Sequence, residues 1–435
     1  MGSAAVSAWT SGLRVAARVP ADLAVDAQKL RARLERLSTF GRPAGGMFAD
    51  GVSRVAYSDA DVQGREYVIG LMKGAGLETR VDPAGNIYGR RAGADQSLPP
   101  ILFGSHIDSV PSGGNFDGDL GSLSALGVLE TLAASGTTTR HPLEMVVWAH
   151  EEGVAFGRAL ACSRIVAGDI KPADLDEVWN GMRRAEAIRR IGGDPDRILE
   201  ARRPKGSLHC YIELHIEQGG NLEKAGVQVG IVEGIVAIDK YDATVTGFAN
   251  HAGTTPMADR HDAMLAAAQL AVAVHDVVTS EPGRQVGTVG HLEIAPNAPN
   301  VIPGSAKLSI ELRDLSPDKL RRLGDAVQAR ARDIAASTRT TIELKPASLA
   351  PPASASPEVQ NAIGRAAAAQ QWTTMRLPSG AGHDAQMMAQ IAPMGMIFVP
   401  SVGGISHSPK ELTHWDDCAR GAGVLLGTVL EMDRV

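Results

Sequence analysis

A chain of 435 residues, 44% hydrophobic and 21% charged, can bury a substantial core and is long enough for more than one domain. Its formal net charge of −6 and its 4% aromatic content give neither a basic footprint nor a base-stacking surface, which argues against a nucleic-acid partner. Cys162, Cys210 and Cys418 are too far apart for a disulfide framework or a CxxC site, and no apolar run reaches membrane-spanning length, so a cytoplasmic protein without membrane contact is expected.

The first 20 residues lack a continuous apolar run and read as a frayed leader that could include an expression remnant, not as a secretion signal. Val25 to Leu37 has the helical spacing of an amphipathic segment, and Asp59 to Ala75 reads as a second helix closing at Gly76. Two short strands flank the turn Pro83-Ala84-Gly85-Asn86, and the apolar strand ILFGSHID follows. Leu120 to Ala134 is a helix expected to pack behind a glycine-rich loop. LEMVVWAH is a buried strand running into Glu151-Glu152-Gly153. Ala173 to Arg203 reads as helical connections, Leu208 to Leu214 as a strand ending at His215, and MGMIFVPS as a strand before the loop VGGISHSPKE.

Between His215 and His407 the pattern changes. VAIDKYDATVTGFA alternates as a strand, and Asp262 to Val278 is an alanine-rich helix. QVGTVGHLEIAP and AKLSIELRDL are strands joined around Asn297 to Gly304. Ser316-Pro317 opens a helix through about Ala336, and TIELKP is a last strand. This βαββαβ order is ferredoxin-like. The expected fold is therefore α/β: a main domain on an open mixed sheet, residues 1–232 and 347–435, with an inserted α+β domain, residues 233–346.

Four strands thus deliver His106, Glu151 and Glu152, His215, and His407 at or just beyond their carboxyl ends, the edge where open α/β sheets bind ligands. His106 and Asp108 are two apart, so a shared strand would point both the same way, with Asp108 accepting the imidazole's second proton. Asp117 sits among glycines that permit sharp turns. Two histidines and a carboxylate suit one Zn²⁺-like ion. If Asp117 bridges, His106, Asp117 and His215 hold one divalent ion, and Asp117, Glu152 and His407 hold a second. Paired ions of this kind activate water for hydrolysis. Glu151, beside a ligand without being needed as one, is placed as general base.

The chain resembles the amidase/hydantoinase/carbamoylase branch of the di-zinc aminoacylase and carboxypeptidase superfamily. That branch includes N-carbamoyl-L-amino acid hydrolases, β-ureidopropionases and allantoate amidohydrolases. The resemblance runs from about Phe48 to Leu430 and rests on GSHIDSVPSGGNFDG, HEEG, ELHIEQG, HAGTTPM, PNAPNVIPG, ELRD, SGAGHDA and GGISHSPKE, in that order. It implies a di-zinc aminopeptidase-like catalytic domain with a dimerisation (lid) insert, and a homodimer through that insert. Substrate-binding roles are implied for Gln218, His251, Asn300, Arg313 and His383. Arg313 would clamp a carboxylate, and His251 would stabilise an oxyanion, reaching the site of the partner subunit.

The expected reaction is hydrolysis of the N-carbamoyl group of an amino acid to amino acid, CO₂ and ammonia. Allantoate, a β-ureido acid or an N-acyl amino acid is the alternative substrate. A metal-binding protein without catalysis and a cysteine hydrolase using Cys162 are rivals of other classes. Zn, Mn, Co and Ni all suit the donor set. Departures from the family pattern are Val154-Ala155-Phe156, Ala161-Cys162-Ser163, GSLSALGVL and Asp119, an additional acid beside the bridging loop.

Overall fold

Strands buried on both faces are rich in apolar residues along their whole length, and the central ones here are, with Glu144 and Glu213 as buried exceptions. In the computed structural model, which describes residues 23–435, Ile101 and Phe103 join one core while Leu102 between them joins another. Met145 and Val147 face the first core, Val146 and Trp148 the second. The frayed-leader reading falls outside the described residues.

The main sheet has nine strands. In chain order its long members are β1 (Glu78–Val81), β2 (Ile87–Arg91), β3 (Ile101–His106), β4 (Leu143–Trp148), β5 (Cys210–Ile216) and β6 (Val229–Ile235). After an insert come β11 (Thr374–Ser379) and β12 (Met394–Val399), with Ala353–Ser354 as a short edge piece. The spatial order β1-β2-β4-β3-β5-β12-β6 places four parallel strands, β4, β3, β5 and β12, at the centre. Their carboxyl ends therefore share one edge. β2 and β6 close this run antiparallel on either side.

One face is covered by helices α1 (Ala27–Leu37), α3 (Asp119–Ala134), α6 (Pro357–Ala369) and α7 (Trp415–Met432). The expected second helix is α2 (Asp59–Gly74), capped by Ser58 accepting from the Asp61 N–H. α3 is buried almost all round because it is sandwiched between β3 and α7. α7 escaped the sequence reading because its glycines depress helix propensity. At Gly421 the reason is packing: a Cβ there would lie 2.7 Å from Val399 and 2.8 Å from Leu214.

The insert carries its own four-stranded antiparallel sheet: β7 (Ala237–Thr246), β8 (Val286–Ala295), β9 (Ser305–Asp314) and β10 (Thr341–Ala350), in the order β8-β9-β7-β10. Helices α4 (Ala263–Thr279) and α5 (Pro317–Thr338) cover it around a separate core. This is the expected ferredoxin-like order. The last strand continues past Pro346, through a register shift, to Ala350. Ala173 to Arg203 is not wholly helical: it holds the two-residue hairpin Val178–Trp179 with Met182–Arg183 before the helix Arg184–Arg190. Among the described residues no helix is long and apolar enough to cross a membrane.

Candidate active site

The shared carboxyl edge of the parallel strands is where the chemistry gathers. His106 is the last residue of β3, His215 lies near the end of β5, and beyond the end of β4 at Trp148 the chain passes through Ala149 and His150 to Glu151 and Glu152. His407 follows β12 after a turn at Val402–Gly404, and Asp117 precedes α3. Gly118 has φ +67, and a Cβ there would come within 2.5 Å of the His106 ring, so only glycine lets Asp117 approach.

Asp117 is the hub. Its Oδ1 lies 3.0 Å from His215 Nε2 and 3.6 Å from His106 Nε2. Its Oδ2 lies 3.2 Å from His407 Nε2, which is 3.3 Å from Glu152 Oε2. Atoms able to ligate a cation fall into two groups sharing Asp117, namely His106, Asp117 and His215, and Asp117, Glu152 and His407. The fold thus brings together the residues that the sequence reading grouped. The His407 side chain is half-exposed, Glu152 is partly exposed with a buried side chain, and His106, Asp117 and His215 are buried, so the site opens on the His407 side.

The donor set fits divalent cations. His106 Nδ1 lies 3.0 Å from the Asp108 carbonyl and His215 Nδ1 2.9 Å from the Ile216 carbonyl. With Nδ1–H donating there, each ring turns its Nε2 lone pair towards Asp117. His215 Nε2 and Glu152 Oε1 are buried without any hydrogen-bond partner, although His215 Nε2 is close to Asp117. Atoms that converge without hydrogen-bond geometry are arranged for an ion.

The electrostatics agree. Burial opposes the Asp117 charge, yet the three histidines beside it hold its carboxyl well below the usual range. The Asp117 carboxylate beside it pushes His407 up to about 9. Burial and the Asp117 charge push Glu152 up to about 8. Without a cation, protons supply the positive charge this cluster needs.

Burial, with the charges of Asp384, Glu152 and Asp108, drives the Glu151 carboxyl well above its ordinary value. Its Oε2 lies 3.7 Å from His106 Nε2, next to the ligands. The expected role of Asp108 needs correction. β3 ends at His106, so the alternation of a strand does not carry to Asp108. The Asp108 carbonyl, not its carboxylate, meets the His106 ring; the carboxylate stands 3.7 Å off. That carboxylate instead accepts the backbone N–H groups of Glu151 (3.1 Å) and Glu152 (3.2 Å).

Of the residues expected to bind substrate, Gln218 is at the cluster. Its left-handed backbone (φ 58°) turns the side chain so that Nε2 donates to Asp117 Oδ2 at 2.8 Å, leaving Oε1 buried and unpartnered. His383 is buried against His215, ring centroids 4.4 Å apart, with Nε2 2.9 Å from Ser379 Oγ. Burial and the neighbouring His215 keep it neutral. Arg313 reaches from β9 to the Gly380 carbonyl while its Nε pairs with Glu311 at 2.6 Å. His251 and Asn300 are exposed on the insert, in and beside the small ladder of Asn250–His251 with Val301–Ile302. His251 Nδ1 accepts from the Gly253 and Thr254 N–H groups, so the ring proton sits on the exposed Nε2. Among the described residues no hydrogen bond or ion pair joins His251 or Asn300 to the Asp117 cluster.

Sequence reasoning missed Glu411. It is buried; Oε1 accepts the Phe116 and Asp117 N–H groups at 2.9 and 3.1 Å, and Oε2 accepts from Ser406. Its signal was an acid four residues beyond His407. Asp384 was missed too, and Ser163, one of the departures from the family pattern, donates to it at 2.5 Å. Cys162 donates to the Ala84 carbonyl, and burial pushes its thiol up to about 12, which removes the thiolate that a cysteine hydrolase requires.

A parallel α/β sheet with two histidine–carboxylate sets at its carboxyl edge, plus a buried glutamate beside them, defines a metallohydrolase-type site. Residues 102–431 match the family described as peptidase family M20/M25/M40, and the chain belongs to that family. It is a hydrolase of C–N bonds. It is 39% identical over 409 residues to the N-carbamoyl-L-amino acid amidohydrolase of Geobacillus stearothermophilus, covering 94% of this chain and 99% of that one. It is 37% identical over 419 residues to a ureidoglycolate hydrolase of Arabidopsis thaliana, with 94% and 87% covered. A crystal structure of an amidase of the hydantoinase/carbamoylase family from Burkholderia multivorans superposes with a TM-score of 0.87 at 34% identity, covering 94% and 98% of the two chains.

Proposed function

We propose that this enzyme hydrolyses the N-carbamoyl (ureido) C–N bond of an N-carbamoyl-L-amino acid, releasing amino acid, CO₂ and ammonia. The observation that carries this reading is the position of Asp117, shared by His106 and His215 on one side and by His407 on the other, with Glu152 beside His407. These five residues would hold two divalent cations. When bound, such ions supply a water of lowered pKa and positive charge for the developing oxyanion.

The chain's residues do the rest. Glu151 takes the water's proton and returns it to the leaving nitrogen, a role suited to a carboxyl pushed upward by burial. Asp108 orients Glu151 and Glu152 through their backbone N–H groups. Arg313 pairs with the substrate carboxylate, and its fork geometry suits a bidentate contact. Gln218, Asn300 and His383 contact the rest of the substrate. In this reading residues 1–232 and 347–435 form the catalytic domain, and residues 233–346 a lid through which two copies pair. His251 then donates from Nε2 to the oxyanion in the second copy's site. The relative named for ureidoglycolate supports a second reading, a ureido acid without an amino-acid side chain.

The test is ammonia release from N-carbamoyl-L-methionine, N-carbamoyl-β-alanine, allantoate and ureidoglycolate, using chelator-stripped protein with and without added Mn²⁺ or Zn²⁺. Metal-restored release from the first supports the proposal, and from another it shifts the substrate. Glu151→Gln should keep metal and lose turnover. Near-normal activity of that variant removes Glu151 as base.

A further inference from the structure

Asp119 is an acid that the chemistry above does not use. It is fully buried, two residues beyond Asp117, and both its oxygens accept from Arg54 Nη2, at 2.7 and 2.5 Å. Arg54 is just as buried and spends every donor of its guanidinium. Nε donates to the Ile107 carbonyl at 2.6 Å, and Nη1 to the Leu37 and Phe40 carbonyls, each at 3.0 Å. Its backbone is engaged as well: the Arg54 N–H donates to Ser109 Oγ, and the Ser109 N–H to the Arg54 carbonyl, both at 2.9 Å.

Arg54 therefore grips the chain at Ile107 and at Ser109, on either side of Asp108 and one residue beyond His106. Through Asp119 it also grips the first turn of α3, where the Asp119 N–H donates to the Asp117 carbonyl at 2.7 Å. Ser122, one turn along the same helix, donates to the His106 carbonyl at 2.8 Å. The strand end bearing His106 and the helix start just after Asp117 are thus tied by short bonds, and among the described residues Arg54 is the one side chain bonded to both. A lysine could not replace it, because a single ammonium cannot span these acceptors in a fixed plane.

We propose that Arg54 and Asp119 are a positioning pair that sets the distance between the Asp117 loop and the His106–Asp108 segment, and thereby tunes cation affinity. The pair touches no ligand atom and acts only by holding two backbone segments in register. This inference rests on the metal-site reading above. Partners of this outer kind change metal affinity by roughly 10- to 100-fold when removed.

The experiment titrates Zn²⁺ into chelator-stripped wild-type, Asp119→Ala, Asp119→Asn and Asp119→Glu proteins, and records thermal unfolding of each metal-free form. Asp119→Ala should bind Zn²⁺ about 10- to 100-fold more weakly, and Asp119→Asn, which keeps an acceptor for Arg54, should recover most of the loss. If Asp119→Ala does not fold, Asp119→Glu carries the test: it keeps the charge but displaces the carboxylate by a methylene, and weakened Zn²⁺ binding is expected. Variants that unfold earlier yet bind Zn²⁺ with wild-type affinity would overturn the positioning role. Wild-type protein that binds no Zn²⁺ would instead overturn the metal-site reading.

Discussion

The Asp108 carboxylate accepts the backbone N–H of Glu151 at 3.1 Å, and a second oxygen takes that of Glu152. One buried acid after β3 therefore sets where the chain carrying both glutamates leaves β4. Glu151 needs that control. His150 before it adopts a left-handed φ of 56°, a conformation an unsupported histidine rarely holds.

Replacing Asp108 by Ala should therefore act through Glu151 rather than through His106, whose ring contacts the Asp108 backbone carbonyl. The expected result is a fall in kcat of about 100-fold, since a displacement of about 1 Å can cost that much. KM should change far less. Steady-state kinetics on metal-loaded protein check this, and an unchanged kcat would return Asp108 to a passive role.

Arg313 gives a different signature. Its guanidinium already bridges β9 and the loop leading to His383, through the Gly380 carbonyl. Arg313→Lys should raise KM for a carboxylate substrate about tenfold, because the lysine loses the fork. The same variant should treat the corresponding carboxamide much as the wild type does. Equal losses on both substrates would place Arg313 outside the carboxylate contact.

Metal removal should invert the pH dependence of stability. His407 (pushed up to about 9) and Glu152 (up to about 8) both have folded values above their unfolded ones. In that window the folded protein holds more protons than the unfolded chain, so stability of the metal-free form falls as pH rises. The Glu152 contribution is fully present below about 4.5 and lost through pH 8. That of His407 is fully present below about 6.5 and lost through pH 9. Metal binding requires both groups deprotonated, so the metal-loaded protein should gain relative stability over the same range. Thermal unfolding from pH 5 to 9, with and without Zn²⁺, reads the two slopes, and parallel slopes would contradict the shared site.

The candidate ligands were legible in the sequence because each closes a short local pattern. His106, Glu151 and Glu152, and His215 follow apolar runs that can only be buried strands. Asp117 and His407 sit in glycine-rich loops that such strands must turn into. The ferredoxin-like insert was legible for the same reason, since period-2 and period-3.6 stretches alternate there without interruption. β6 (Val229–Ile235) and α7 were not, because their glycines weaken the local signal and their burial is settled by neighbours remote in sequence.

Local pattern, then, determined which residues could ligate a cation and which elements carry them. Tertiary structure decided what holds those residues in place. Glu411 supports the Asp117 loop from 294 residues away, and Arg54 meets Asp119 across 65. Asp108 turned from its neighbouring histidine to backbone N–H groups 43 and 44 residues on. A buried carboxylate goes to whichever donors the fold leaves unsatisfied beside it, and no spacing along the chain records which those will be.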